Sequence, residues 1–268
     1  MLIEKMITNQ GNEIAYAIEG EGPWLTLSHS LASNMSAWEP QLSLLRSHFK
    51  VLRFDTRGHG LSSAPAAPYS LEDLAQDVYD LFAYLDIEQT HWIGLSMGGM
   101  IGQTLILKYP NLFNSLVLAD TTSKRPDNAK QMWGERIVKA KAEGMPAMVE
   151  STLKRWFSDA FRQTHPAIIQ QIAGGIATTS ISGFAGCCEA ISQINTFDRL
   201  SEITCPTLIL VGEHDHGTPP EMARAMKAQM PGAFFSEIPN AGHISNVEQA
   251  ELFNQSLAAF YTRTGFLS

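Results

Sequence analysis

The sequence predicts an α/β fold: a mostly parallel eight-stranded sheet flanked by helices, with a helical cap inserted between two strands. Three observations predict it. Short apolar runs alternate with helical patterns along most of the chain. Several runs are apolar at consecutive positions, as in Leu208-Ile209-Leu210-Val211. Such strands are buried on both faces, as in a parallel sheet covered by helices. Between residues 123 and 190 the alternation stops and only helical patterns remain. The expected organisation is a first core part over 1–122, a helical cap over 123–190 and a second core part over 191–268.

Residues 3–8 and 12–18 read as strands around a Gly11-Asn12 turn. Residues 24–28 and 50–55 are the next strands, with an amphipathic stretch, 36–48, between them. Residues 71–86 form an amphipathic helix, because Leu71, Leu74, Val78, Leu81, Phe82 and Leu85 recur at helical spacing. Ser70 is its expected N-cap and Asp73 completes a capping box. Further strands are expected at 91–95, 115–119, 206–212 and 233–238, and a last helix at 246–262. Within the cap, 127–142, 145–157 and 165–177 are helical in pattern. Gly174-Gly175 and Gly183 punctuate its end.

Hydrophobic residues make up 44% of the 268, enough for a sizeable core, and charged residues only 17%, too few for a disordered chain. The net charge of -8 repels phosphate and argues against nucleic acid as a partner. No stretch approaches the ~20 apolar residues of a membrane span. The N-terminus lacks a basic leader and apolar run, so a cytoplasmic protein is expected. Cys187, Cys188 and Cys205 are odd in number and two are adjacent, a poor basis for a disulfide framework. They read as reduced, small apolar side chains. No cofactor is expected, and the oligomeric state is left open.

Gly94-Leu95-Ser96-Met97-Gly98 fits the pattern of a serine held on a sharp strand-to-helix turn. It follows an apolar strand and precedes a helical run, the context that gives the pattern meaning. Ser96 is therefore the candidate nucleophile. The Met97 N–H, at the helix start, is placed to stabilise a developing oxyanion.

A serine nucleophile needs a base. In this architecture the order along the chain is serine, acid, histidine. His243, in the loop after the last strand, fits the base. Asp215, just after the apolar strand 206–212, is the best acid; Asp120, at the end of the strand after the nucleophile helix, is its rival. His214-Asp215-His216 also suggests a metal site, but no upstream ligands accompany it, so no metal is expected. A second oxyanion donor is expected from the His29-Ser30-Leu31 loop, at the Leu31 N–H. His29 reads as a brace for that loop. Trp38 is a candidate pocket wall, with core packing its equal alternative. Asp55-Thr56-Arg57-Gly58-His59-Gly60-Leu61-Ser62 reads as a scaffold turn in which Asp55 and Arg57 pair.

Asp-x-Arg-Gly-His-Gly-x-Ser at 55–62, Gly-x-Ser-Met-Gly-Gly at 94–99 and Gly-x-x-Asp…Gly-His at 212–215 and 242–243 together resemble the α/β-hydrolase superfamily. A narrower resemblance is to 3-oxoadipate enol-lactonases, carried by Asp55-Thr56-Arg57, residues 94–103, Gly186-Cys187-Cys188 and Thr218-Pro219-Pro220. It implies a lactonase-like esterase, and those enzymes open a small lactone bearing a carboxylate. A neutral N-acyl homoserine lactone and a short-chain ester are also compatible. Two other readings stay open: a cofactor-free perhydrolase or haloperoxidase on the same residues, and a ligand receptor on a hydrolase fold. Cap residues decide the substrate. Trp133 is the candidate pocket wall there, while Met145, Met148, Trp156 and Phe157 read mostly as packing. Lys124, Arg125 and Arg136 are candidates to meet a substrate carboxylate, against the alternative of a solvated face.

Overall fold

The computed structural model of the chain describes residues 2–267. The strands are β1 (Glu4–Ile7), β2 (Glu13–Glu19), β3 (Trp24–Ser28), β4 (Lys50–Phe54), β5 (Thr90–Leu95), β6 (Phe113–Ala119), β7 (Thr207–Gly212) and β8 (Phe234–Ile238). The helices of the first part are α1 (Glu39–Leu45), α2 (Leu71–Tyr84) and α3 (Met97–Lys108). Between β6 and β7 come α4 (Ala129–Glu143), α5 (Val149–Trp156), α6 (Asp159–Thr164), α7 (Pro166–Thr178) and α8 (Ile181–Ile191). The chain ends with α9 (Pro220–Gln229), α10 (Ser245–Glu248) and α11 (Ala250–Arg263). Among the described residues no helix is long and apolar enough to cross a membrane.

All eight strands join one sheet in the order β1-β2-β4-β3-β5-β6-β7-β8. The β1–β2 and β2–β4 pairs are antiparallel and every other pair is parallel. Strands β5 and β7 are buried at every residue, as in a parallel sheet covered on both faces. Helix α2 packs on α3, and α1 on α11. The capping box of α2 is formed: Ser70 Oγ accepts from the Asp73 N–H at 3.0 Å, and Asp73 accepts from the Ser70 N–H at 2.9 Å.

The strand order creates one topological switch. From β3 the chain steps to β4 on one side, then crosses to β5 on the other. A crevice opens where the connections diverge, at the carboxyl ends of β3 and β5. The loop after β3 carries Ser30 and Leu31, and the turn after β5 carries Ser96.

Two local expectations are corrected and two details are added. The stretch 36–48 is a 3-10 turn at Met35–Trp38 followed by the short α1. Gly174 and Gly175 lie inside α7, and Gly183 lies inside α8. Gly183 there serves a close approach, since a Cβ on it would fall 2.2 Å from the Gly58 carbonyl oxygen. Helix α9, which the sequence reading left out, begins with Pro220 at its first position. Lastly, Asp55 and Arg57 do not pair. Arg57 makes a two-point contact with Asp77, at 2.5 and 2.7 Å, while Asp55 accepts from the Met35 and Leu61 N–H groups.

Candidate active site

Ser96 sits between β5 and α3 with φ 54° and ψ −111°, a strained backbone for a residue with a side chain. Its neighbours hold it there. Its N–H donates to the Ala119 carbonyl at 2.8 Å, and Thr121 Oγ1 donates to its own carbonyl at 2.6 Å. Gly98 lets the turn sit on β3: a Cβ there would lie 2.1 Å from the Ser28 carbonyl oxygen.

The fold brings Ser96, His243 and Asp215 into one hydrogen-bonded chain. Ser96 Oγ lies 2.9 Å from His243 Nε2. His243 Nδ1 lies 2.9 and 2.8 Å from the two carboxylate oxygens of Asp215. All three residues are buried. Asp215 also accepts from the Gly217 N–H at 2.7 Å, and from the Thr218 N–H at 2.9 Å and hydroxyl at 2.7 Å. Burial alone would raise the Asp215 pKa. The His243 charge and these donors outweigh it and hold the carboxyl below its ordinary value. Burial likewise pulls His243 down, but the Asp215 carboxylate wins and the imidazole is raised above its usual 6.5.

Asp120 is not bonded to His243. Its carboxylate accepts from the Gly212 N–H at 2.8 Å and from the N–H and hydroxyl of Ser245. It thus ties the end of β7, which leads to Asp215, to the loop that carries His243. Burial first, and the Asp215 charge second, raise its pKa to about 7.

The loop after β3 is braced by two neutral histidines. His29 Nδ1–H donates to the Ser30 carbonyl at 2.8 Å, and its Nε2 accepts the Thr56 N–H at 3.0 Å. His59 Nε2 accepts the Ala32 N–H at 2.9 Å. Burial pushes their pKa values down to about 4 and about 3. Among the described residues the N–H groups of Leu31 and Met97 have no acceptor. Leu31 lines the cavity over Ser96, and Met97 heads α3.

That cavity, of about 170 Å³, is walled by the cap as well as the core. Trp133 lines it. Trp38 does not: it is fully buried, packed against Phe253 at 6.4 Å, because it closes the 3-10 turn on its inward side. Arg125 is also misplaced by the sequence reading. It is exposed on the segment before α4, outside the cavity lining, and Lys124 is exposed beside it. The cations that reach the cavity are Arg136, on α4, and Arg155, on α5. The sequence reading named Arg136 and missed Arg155.

Neither guanidinium has a carboxylate partner among the described residues. Burial lowers the Arg136 pKa to about 10, with repulsion from Arg155 adding to it. Burial also lowers Arg155. Arg136 stacks over Trp133 and Phe184, at 5.1 and 5.8 Å. Arg136 Nε and two more polar atoms of the lining, Ser30 Oγ and Thr152 Oγ1, are buried without a partner among the described residues. Buried polar groups are nearly always satisfied, so this lining suits a polar guest or ordered water. His216 lies at the cavity while His214 is exposed beside Glu213. Among the described residues no three His, Cys, Asp or Glu side chains converge as metal ligands.

The family model of the alpha/beta hydrolase fold matches residues 23–250. The chain is 33% identical over 259 residues to 3-oxoadipate enol-lactonase 2 of Acinetobacter baylyi, covering 96% of each. The enol-lactonase of Burkholderia xenovorans LB400 superposes with a TM-score of 0.93 at 36% identity, covering 97% of this chain and 100% of that one. A thermophilic esterase from Thermogutta terrifontis superposes with a TM-score of 0.92 at 28% identity, covering 98% and 99%. The chain belongs to the α/β-hydrolase family. Kinship of this extent makes it a carboxylic ester hydrolase.

Proposed function

We propose that the chain hydrolyses a small ester, preferentially a lactone bearing a carboxylate, through an acyl-enzyme on Ser96. The observation that carries this reading is the unbroken Ser96–His243–Asp215 chain under a cavity with two arginines that have no carboxylate partner among the described residues. His243 Nε2 takes the Ser96 proton as Oγ bonds to the substrate carbonyl carbon. The N–H groups of Leu31 and Met97 receive the oxyanion. The tetrahedral intermediate collapses, the C–O bond breaks, and His243 returns the proton to the leaving oxygen. In a lactone that oxygen stays tethered to the acyl group. Water then attacks the acyl-enzyme, with His243 again as base, and releases the acid.

Arg136 and Arg155 are the proposed carboxylate partners, with Trp133 beside them as a wall. The relatives named as 3-oxoadipate enol-lactonases support the lactone, and the Thermogutta esterase, whose structure has malate bound, is in keeping with an anionic guest. The test is covalent trapping. A fluorophosphonate should add one label to the native chain, peptide mapping should place it on Ser96, and Ser96→Ala should take none. Labelling elsewhere, or undiminished labelling of the variant, would remove Ser96 from the mechanism.

The pH dependence has a definite sign. His243 must be neutral to accept the Ser96 proton. Its pKa lies above 6.5 in the folded protein. Activity is therefore lost as pH falls through a value above 6.5, and kcat/KM should show that acidic limb. In Asp215→Asn the carboxylate that raises His243 is gone, so the limb should move to lower pH. The residual rate should be down by about 10⁴-fold, as for other triads that lose their acid. An unmoved limb would show that another group sets it.

A further inference from the structure

A second cavity adjoins the one over Ser96. It measures about 350 Å³ and lies between α7 and two core segments, 32–40 and 244–250. Its wall is largely apolar, with Ile168 and Ile172 from α7 facing Ile244 and Val247. Ala32 and Trp156 line both cavities. Trp156, the last residue of α5, is 6% exposed, and its carbonyl accepts from the Ile244 N–H at 3.3 Å. Trp156 is thus tied by its backbone to the His243 loop, and it lies where the cavity over Ser96 meets the larger apolar one.

Helix α7, which walls the second cavity, carries two glycines in its interior. Gly174 and Gly175 sit in the interior of α7, where glycine is among the poorest helix formers. A Cβ on Gly174 would touch nothing within 4 Å, and on Gly175 only Asn34 Nδ2, at 3.5 Å. Backbone crowding therefore does not require these glycines. Gly175 lines the cavity, so any larger side chain there would occupy it.

We infer that Trp156 sets the upper limit on substrate length: its indole shuts off an apolar subsite that otherwise takes the alkyl chain of an ester. The inference rests on Ser96 as the acyl acceptor. It deepens that reading, because the arginines select the polar end of the substrate while Trp156 excludes a long apolar one.

The test compares p-nitrophenyl acetate with p-nitrophenyl octanoate. The native chain should prefer the acetate. Trp156→Ala should raise the octanoate-to-acetate ratio of kcat/KM by about tenfold or more, the scale of a few methylenes in an apolar pocket. Trp156→Leu should do so more weakly, and it carries the test if the alanine variant does not fold. Adding Gly175→Leu should reverse most of the gain. A ratio unmoved in the folded Trp156 variants would overturn the inference, as would a gain that survives Gly175→Leu. Octanoate binding by calorimetry needs no turnover. Binding to Trp156→Ala that Gly175→Leu removes would uphold the subsite even if Ser96 proved inert, and its absence would sink the subsite alone.

Discussion

Ser96→Ala should lower kcat for ester or lactone hydrolysis by on the order of 10⁵–10⁶-fold, leaving only the rate supplied by the oxyanion donors and binding. The size follows from the role. Among the described residues no other hydroxyl occupies the 2.9 Å position against His243 Nε2, so no neighbour there can take over the acyl transfer. The same change should not unfold the protein. Among the described residues the Ser96 side chain bonds only to His243. The turn itself is held by backbone bonds to Ala119 and Thr121, which alanine keeps. Alanine retains the Cβ at φ 54°, so the strain is neither relieved nor worsened. Single-turnover assays with a chromogenic ester, alongside thermal melts, check both halves. Retained turnover in a chain that melts as the native one does would end the acyl-enzyme reading.

The parts of the fold that the sequence revealed are those specified locally. Strand β7 is apolar over Leu208–Val211, and both β5 and β7 are buried at every residue, as a parallel sheet covered on both faces requires. The turn at Ser96 was legible because glycine is demanded by a close backbone approach, and that demand leaves a mark in the sequence. His243 and Asp215 were legible because the order of strands fixes which loops meet above the sheet. The failures are of one kind. Arg136 and Arg155 come from different cap helices, and their meeting depends on how α4 and α5 are laid over the core. Nothing in the sequence around Arg155 separates it from Lys154, which points to solvent and pairs with Glu150. Trp38 and Trp133 look alike in sequence; the first turns into the core and the second into the cavity. Gly183 reads in the sequence as punctuation at the end of the cap, because glycine commonly breaks helices. Here it sits inside a helix, where only a contact with Gly58, distant in sequence, explains it.

Exchanging Arg136 and Arg155 for methionine should split activity from stability. Against a carboxylated enol-lactone, each single change should lower kcat/KM by about 10²-fold, the scale of losing one member of a desolvated charge pair. The double change should not be additive, since the two cations repel each other and share one guest. Turnover of neutral p-nitrophenyl acetate should move far less. Stability should move the other way. Two desolvated guanidinium groups without a carboxylate partner cost free energy in the empty protein, and that cost lowers the Arg136 pKa to about 10. Methionine keeps much of the volume and apolar contact and removes the charge. The melting temperature should therefore rise, most clearly for Arg136→Met, whose side chain is the more buried of the two. A purely structural arginine predicts the opposite, with both stability and activity falling together. The chain's net charge of -8 sharpens the argument: an acidic surface repels an anionic substrate, so local attraction must come from this pair. Attraction of that kind is screened by salt, and the preference for the carboxylated substrate should shrink as ionic strength rises.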